Sequence, residues 1–310
     1  MAYSRAKSHS LRGSSRYGKK KRRMSRRRSG GRKRTYRKKT SYSKRSILNL
    51  TSRKKRNGML GWTNTNGTGA NQTVAPGGAT INGTQGYRGL WIATGQDLSE
   101  QSGANATVAE QAARTATTCY MRGLSEHIRI QTSSNQPWFW RRIVFTVKGP
   151  ALRTYSTLDT PVDPRQRIVD TTSGTQRLLF NELINTTPNT INNHDAIIFK
   201  GAKGLDWTDV MLAPVDTRRV TLMYDKTRTF QTGNERGILK EFKLWHPFNK
   251  NLVYGDDESG DGEIGSAYSV ESKPGMGDVY VMDLIGSGLG AAPGDLMNFF
   301  TSSTLYWHEK

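Results

Sequence analysis

The chain of 310 residues contains a single cysteine, Cys119, so it can form neither an internal disulfide nor a zinc site built on cysteines. Its five histidines are His9, His127, His194, His246 and His308, and no two of them stand at helical metal spacing. HExxH, a nucleophile elbow and the GxxxxGK[ST] phosphate loop are all missing. These absences predict no catalytic residues, no bound metal and no cofactor. No run of 18 apolar residues occurs, so no helix is expected to cross a membrane. The first residues are charged and lack the apolar core of a signal peptide, which predicts synthesis in the cytosol. The most informative shortage is of acid: no Asp or Glu precedes Asp97.

Against that absence, residues 1–56 carry 24 Lys and Arg. The other 254 residues hold 23 basic and 25 acidic side chains, a net of −2, although the whole chain is +22. One segment therefore holds the entire excess. Its charges fall in clusters: Arg16; Lys19, Lys20, Lys21, Arg22 and Arg23; Arg26, Arg27 and Arg28; Arg32, Lys33 and Arg34; Arg37, Lys38 and Lys39; Lys44 and Arg45; Arg53, Lys54, Lys55 and Arg56. Between Met24 and Ile47 there is no aliphatic residue. Such a stretch buries too little apolar surface to offset its ordering entropy, so residues 1–56 are expected to form a disordered basic arm. Phosphates attract such an arm by counterion release, without a folded site. If all 24 charges met single-stranded DNA, affinity would fall with salt at a log–log slope of roughly −17. Tyr3, Tyr17, Tyr36 and Tyr42 lie among the charges, suited to stacking on unpaired bases. All these basic residues are candidate DNA contacts, and Lys19, Lys20, Lys21, Arg22 and Arg23 also fit a nuclear import signal.

Beyond the arm, residues 57–118 read as an extended linker with the first loops, and 119–310 as a strand-rich domain. Strands are expected at Ser125–Thr132, Trp138–Lys148, Gln166–Thr171, Ala196–Lys200, Val220–Thr229, Gly237–Leu252, Asp278–Leu284 and Phe299–Trp307. The first two, split by Asn135-Gln136-Pro137, read as a hairpin. One short helix is expected at Gln176–Ile184. In the second strand Trp138 and Trp140 share one face and Phe139 takes the other; Arg141 and Arg142, which follow, could reach nucleic acid or a neighbouring subunit. Many strands with long loops and few helices indicate a sandwich, jelly roll or barrel.

Four further features point to bland roles. Asp256–Glu263 is acidic, but an EF-hand loop begun at Asp257 would place Tyr268 where a bidentate Glu is needed, so a solvated loop is expected. Gly286–Ala291 matches GxGxxA, yet Pro293 interrupts any following helix, which leaves a loop between strands. His194-Asp195 is an isolated dipeptide in a loop-like stretch, and Cys119 reads as a buried small hydrophobe.

Ser43–Leu60 (SKRSILNLTSRKKRNGML), Arg122–Gly149 (RGLSEHIRIQTSSNQPWFWRRIVFTVKG) and Ser303–Lys310 (STLYWHEK) resemble the capsid proteins of genomoviruses, small circular single-stranded-DNA viruses of the gemycircularvirus type, and more distantly geminivirus coat proteins. The layout of basic arm and strand-rich domain extends the resemblance to the whole chain. It implies an all-β fold, a single eight-stranded jelly roll of the capsid type with a disordered arm and long loops. It also implies self-assembly into a small icosahedral (T=1) shell of sixty copies, packaging of circular single-stranded DNA, and import into the host nucleus by nuclear import receptors. Sixty arms would carry 1440 positive charges. The zinc-finger-like element described in some geminivirus coat proteins is not implied, since Cys119 stands alone. The chief rival, a cellular nucleic-acid-binding protein with a basic tail, should show a basic body, whereas this body is near neutral. A second rival, an enzyme with a targeting tail, lacks a catalytic constellation.

Overall fold

The computed structural model describes residues 43–99, 104–165 and 167–310. The expected disorder and the DNA and import contacts before Ser43, and the strand position of Gln166, lie outside them. The chain divides after Ser43, and the unit Lys44–Lys310 is described by itself.

Its elements in order are α1 (Lys44–Thr51), β1 (Arg53–Thr65), β2 (Asn71–Pro76), β3 (Ala79–Asn82), β4 (Tyr87–Ile92), β5 (Thr118–Thr132), β6 (Trp138–Val147), β7 (Val169–Thr171), β8 (Gly174–Leu179), a 3-10 turn (Glu182–Ile184), α2 (Pro188–Ile198), β9 (Thr221–Phe230), β10 (Leu239–Val253), β11 (Asp257–Ser259), β12 (Gly262–Ile264), β13 (Asp278–Ser287) and β14 (Leu296–Glu309). Eight of the strands form two antiparallel four-stranded layers, β10-β5-β14-β1 and β4-β13-β6-β9. Counted along those eight, the layers contain the sixth, third, eighth and first strands, and the second, seventh, fourth and fifth. That interleaving is a jelly roll. The larger sheet is extended by β8, parallel to β1 through Gly61↔Arg177, by β7, by β2 on β1 and by β3 on β14.

The inner faces supply the core. At one end Met121, Leu124, Leu305 and Trp307 of the larger sheet meet Trp91, Val144, Val279 and Val281 of the smaller. At the other, Ile128, Ile130 and Phe299 meet Trp138 and Trp140. Between these ends lies a buried charge cluster. Arg142 pairs with Asp283 at 2.8 Å and with Glu126; Arg177 reaches Glu126 at 3.1 Å and Asp283 at 2.8 Å. Trp140 Nε1 donates to Asp283 and Ser303 Oγ to Glu126. Two cations and two anions cancel, and the pairs tie both sheets together. Burial works to raise the pKa of Asp283, but Arg142 and Arg177 bring it down to about 2.

The outer face of the smaller sheet is covered by the chain itself. Leu152, Ile198, Phe199, Trp207 and Ala213 pack on Leu90, Ile92, Ile143, Phe145, Tyr280 and Met282. Both faces of β6 are thus covered, with Trp138 and Trp140 fully buried on one side; only Phe139, 37% exposed, looks outward.

Several expectations need correction. Residues 57–118 are not a linker, since β1 and β4 are two of the eight jelly-roll strands. They escaped notice because β1 alternates with polar Lys55 and Asn57 on its buried face, and β4 is buried on every residue. The expected arm also runs too far, because Arg53–Arg56 pair with β14. Ser125–Thr132 and Trp138–Lys148 form no hairpin; their connection crosses from one sheet to the other. Ala196–Lys200 is largely the end of α2, which starts on Pro188 and buries the helical stripe Thr190, His194, Asp195 and Ile198. Gln176–Ile184 is not a helix but β8 followed by the 3-10 turn, because pairing with β1 and the burial of Arg177 and Glu182 outweigh local preference.

Candidate nucleic-acid interface

The outer face of the larger sheet is bare among the described residues, in contrast to that of the smaller. Strand alternation decides what it displays. Met59 of β1 and Leu305 and Trp307 of β14 point into the core, so Lys54, Arg56, Leu60, Ser302, Thr304, Tyr306 and His308 point out. Register aligns these in rows across four strands. One row runs Lys54, His308, Tyr120, Asn251; the next has Arg56, Tyr306, Gly123, Pro247; further on stand Leu60, Ser302, His127, Lys243, and then Phe300, Arg129, Glu241. Arg122 is the extra residue of the β5 bulge beside Tyr306 and Trp307.

Cations and rings interleave on this face. The Arg129 guanidinium lies 5.1 Å from the centre of the Phe300 ring. Trp245 and Tyr306 meet edge to face at 5.9 Å, and Tyr120 and His308 are tilted against each other at 6.0 Å. Two glycines make seats for these rings: a Cβ on Gly78 would fall 2.4 Å from the Phe300 ring, and one on Gly123 2.7 Å from the Trp245 indole. Trp245 nonetheless stays 49% exposed and Phe300 37%.

The charge is one-sided. Lys54, Arg56, Arg122, Arg129 and Lys243 stand against one acid, Glu241, which His127 approaches at 3.5 Å. His308 registers the field: burial first, then Arg122 and Lys54, hold its pKa below the ordinary histidine value. A low-relief surface of separated cations and exposed rings can grip phosphates and stack unpaired bases without reading sequence.

The candidates from sequence divide sharply here. Lys44 and Arg45 lie in α1. Arg53, Lys54 and Arg56 are exposed on β1. Lys55 is corrected: it turns inward, 4% exposed, and pairs with Glu309 at 3.1 Å while donating to Ala113 O and Thr115 Oγ1. It is unavailable to DNA. Arg141 and Arg142 are internal too, held by Asp225 and by Asp283 with Glu126. Arg122, Arg129, Lys243, Phe300, Trp245 and Tyr306 were missed, although the alternation of Ser125–Thr132 already placed Arg129 opposite Ile128 and Ile130.

Elsewhere, His194-Asp195 is not in a loop but in α2, where Asp195 meets Arg88 at 2.9 Å and His194 Nδ1 lies 3.2 Å from Arg167. Cys119 is buried, and burial and Glu309 push its thiol pKa up. The acidic loop is the β11–β12 hairpin, exposed except that Asp256 binds Arg114. Gly286–Ala291 ends β13 and leads by a loop into β14. Among the described residues no three His, Cys, Asp or Glu side chains are grouped to hold a metal. No helix there is long and apolar enough to cross a membrane.

Neither protein-family models nor curated proteins match the chain.

Proposed function

We propose that this chain is the coat protein of a small single-stranded-DNA virus, of the kind the genomovirus resemblance implies. Copies of it assemble into a closed shell, and the basic stretch together with the open sheet face holds the packaged DNA. The observation that carries this reading is the sidedness of the sandwich. One sheet is roofed by the chain's own loops and α2, while the other presents Lys54, Arg56, Arg129 and Lys243 among Trp245, Phe300 and Tyr306. In the sequence the basic clusters continue past α1 to Arg53–Arg56, the first residues of β1. The N-terminal stretch holds the chain's excess of positive charge and the open face is locally basic, while the body as a whole stays near neutral, so copies can approach without strong repulsion. Symmetry would then reuse one set of contacts through the shell. Nuclear import by the Lys19–Arg23 cluster belongs to the same reading.

Electron microscopy and mass measurement of the full chain, with and without circular single-stranded DNA, test it. Closed particles of sixty subunits, about 2.1 MDa of protein from a 34.6 kDa chain plus the mass of the enclosed DNA, are expected with DNA. A protein that binds DNA yet stays at subunit mass at every concentration would instead be a cellular single-strand binder.

A further inference from the structure

The row that begins at Lys54 does not end at the sheet. Tyr120 and Asn251, its last members, also form one wall of a cleft of about 880 Å³ at the end of the sandwich. The smaller sheet contributes Thr146 and Thr221, and the segment Lys273–Met276 closes the cleft. Four cations line it, Lys148, Arg219, Lys250 and Lys273, and among the described residues no acidic one does. A β-bulge sets up this wall. The β10 register shifts between Pro247 and Lys250, with Asn249 in the left-handed region at φ 51°, its side-chain oxygen accepting from Arg122. Lys148 Nζ donates to the carbonyls of Ser272, Lys273 and Pro274 at 2.5–2.8 Å, which fixes the closing segment while leaving the lysine charge uncancelled by any carboxylate. Arg219 is partly engaged, 3.5 Å from Asp216; Lys250 and Lys273 are exposed.

We infer that this cleft is a phosphate-binding site that takes backbone phosphates of a single strand as it leaves the open face past Tyr120. Side-chain amides and hydroxyls (Asn249, Asn251, Thr146, Thr221) complement the cations there, as phosphodiester oxygens require. The inference rests on the open face being a nucleic-acid interface, but it makes a separate demand on separate lysines.

Lysine acetylation of the full chain, read by mass spectrometry on the subunit-sized fraction, tests it with short oligothymidylate and, in parallel, inorganic phosphate. Acetylation needs the neutral amine, so a phosphate that raises a lysine's pKa by one unit slows it about tenfold. The expected result is oligonucleotide protection of Lys250 and Lys273 as well as Lys54 and Lys243, with exposed Lys200 unaffected. Protection of Lys54 and Lys243 alone overturns the cleft and leaves the face standing. Protection of Lys250 and Lys273 alone removes the face and with it the path past Tyr120, which overturns the inference as stated. Protection of the cleft pair by inorganic phosphate but not by oligonucleotide would make it a site for a free anion and overturn the inference, as would equal protection of Lys200.

Discussion

Trp245→Ala and the double variant Lys54→Gln/Arg56→Gln should weaken single-strand binding in two separable ways. Trp245 rests on Gly123 against Tyr306 with half its surface free, so it presents a ring face already held in place. Stacking one base on such a ring contributes about 1–3 kcal/mol, so Trp245→Ala should raise Kd by roughly 5- to 150-fold at every salt concentration. Lys54 and Arg56 act through phosphates. Each contact to a single strand adds about 0.7 to the log–log salt slope, so losing both should make the slope shallower by about 1.4. Fluorescence anisotropy with labelled oligothymidylate, titrated across a salt series and compared with the unaltered chain, reads both quantities from one data set. An unchanged Kd for Trp245→Ala at all salt concentrations, or an unchanged slope for the charge variant, would refute the assignment of this face.

Lys55→Gln, one residue away, should leave that slope untouched but cost about 1–3 kcal/mol of stability, because Glu309 loses its cation and keeps the donors of Thr115 and Trp307; urea unfolding checks this. Glu126→Gln should be destabilising by about 3–5 kcal/mol, since Arg142 and Arg177 would be left facing Asp283 alone. Stability should also fall on acidification from pH 6.5 to 4. Burial first, then Arg167 for His194 and Arg142 for His246, depresses both pKa values to about 4, so over that range the unfolded chain binds more protons. Each histidine accounts for about 3 kcal/mol, and His246→Leu should flatten this limb of the pH–stability curve. Below it, the contribution of ionised Asp283, present above its unfolded pKa near 4, is lost as pH falls through about 2. Chains lacking residues 1–46 should form empty shells or none, by electron microscopy and absorbance ratio; DNA packaging like that of the full chain would refute the role of that segment.

The all-β class was legible because six jelly-roll strands, β5, β6, β9, β10, β13 and β14, are rich in β-branched and aromatic residues and bounded by turn signals. The first two were not. β1 hides behind a basic cluster, and its buried positions Lys55 and Asn57 are stable only through partners far along the chain, Glu309, Gln96 and Thr175. α2 was misread for a related reason: its buried stripe is polar, and Asp195 is satisfied by Arg88 rather than by local sequence. On the candidate face, the basic cluster at Arg53–Arg56 was visible, but its division into outward Arg56 and Lys54 and inward Lys55 follows from pairing with β14. Trp245, Phe300 and Tyr306 come together only through register, which no single segment contains.

A density map of DNA-filled particles assembled from the full chain tests the sidedness of the sandwich most directly. The larger sheet should face the interior, with nucleic-acid density against Arg129, Phe300 and Trp245, and α2 should face outward. Particles whose larger sheet faces solvent with no such density, or failure to assemble at all, would contradict it.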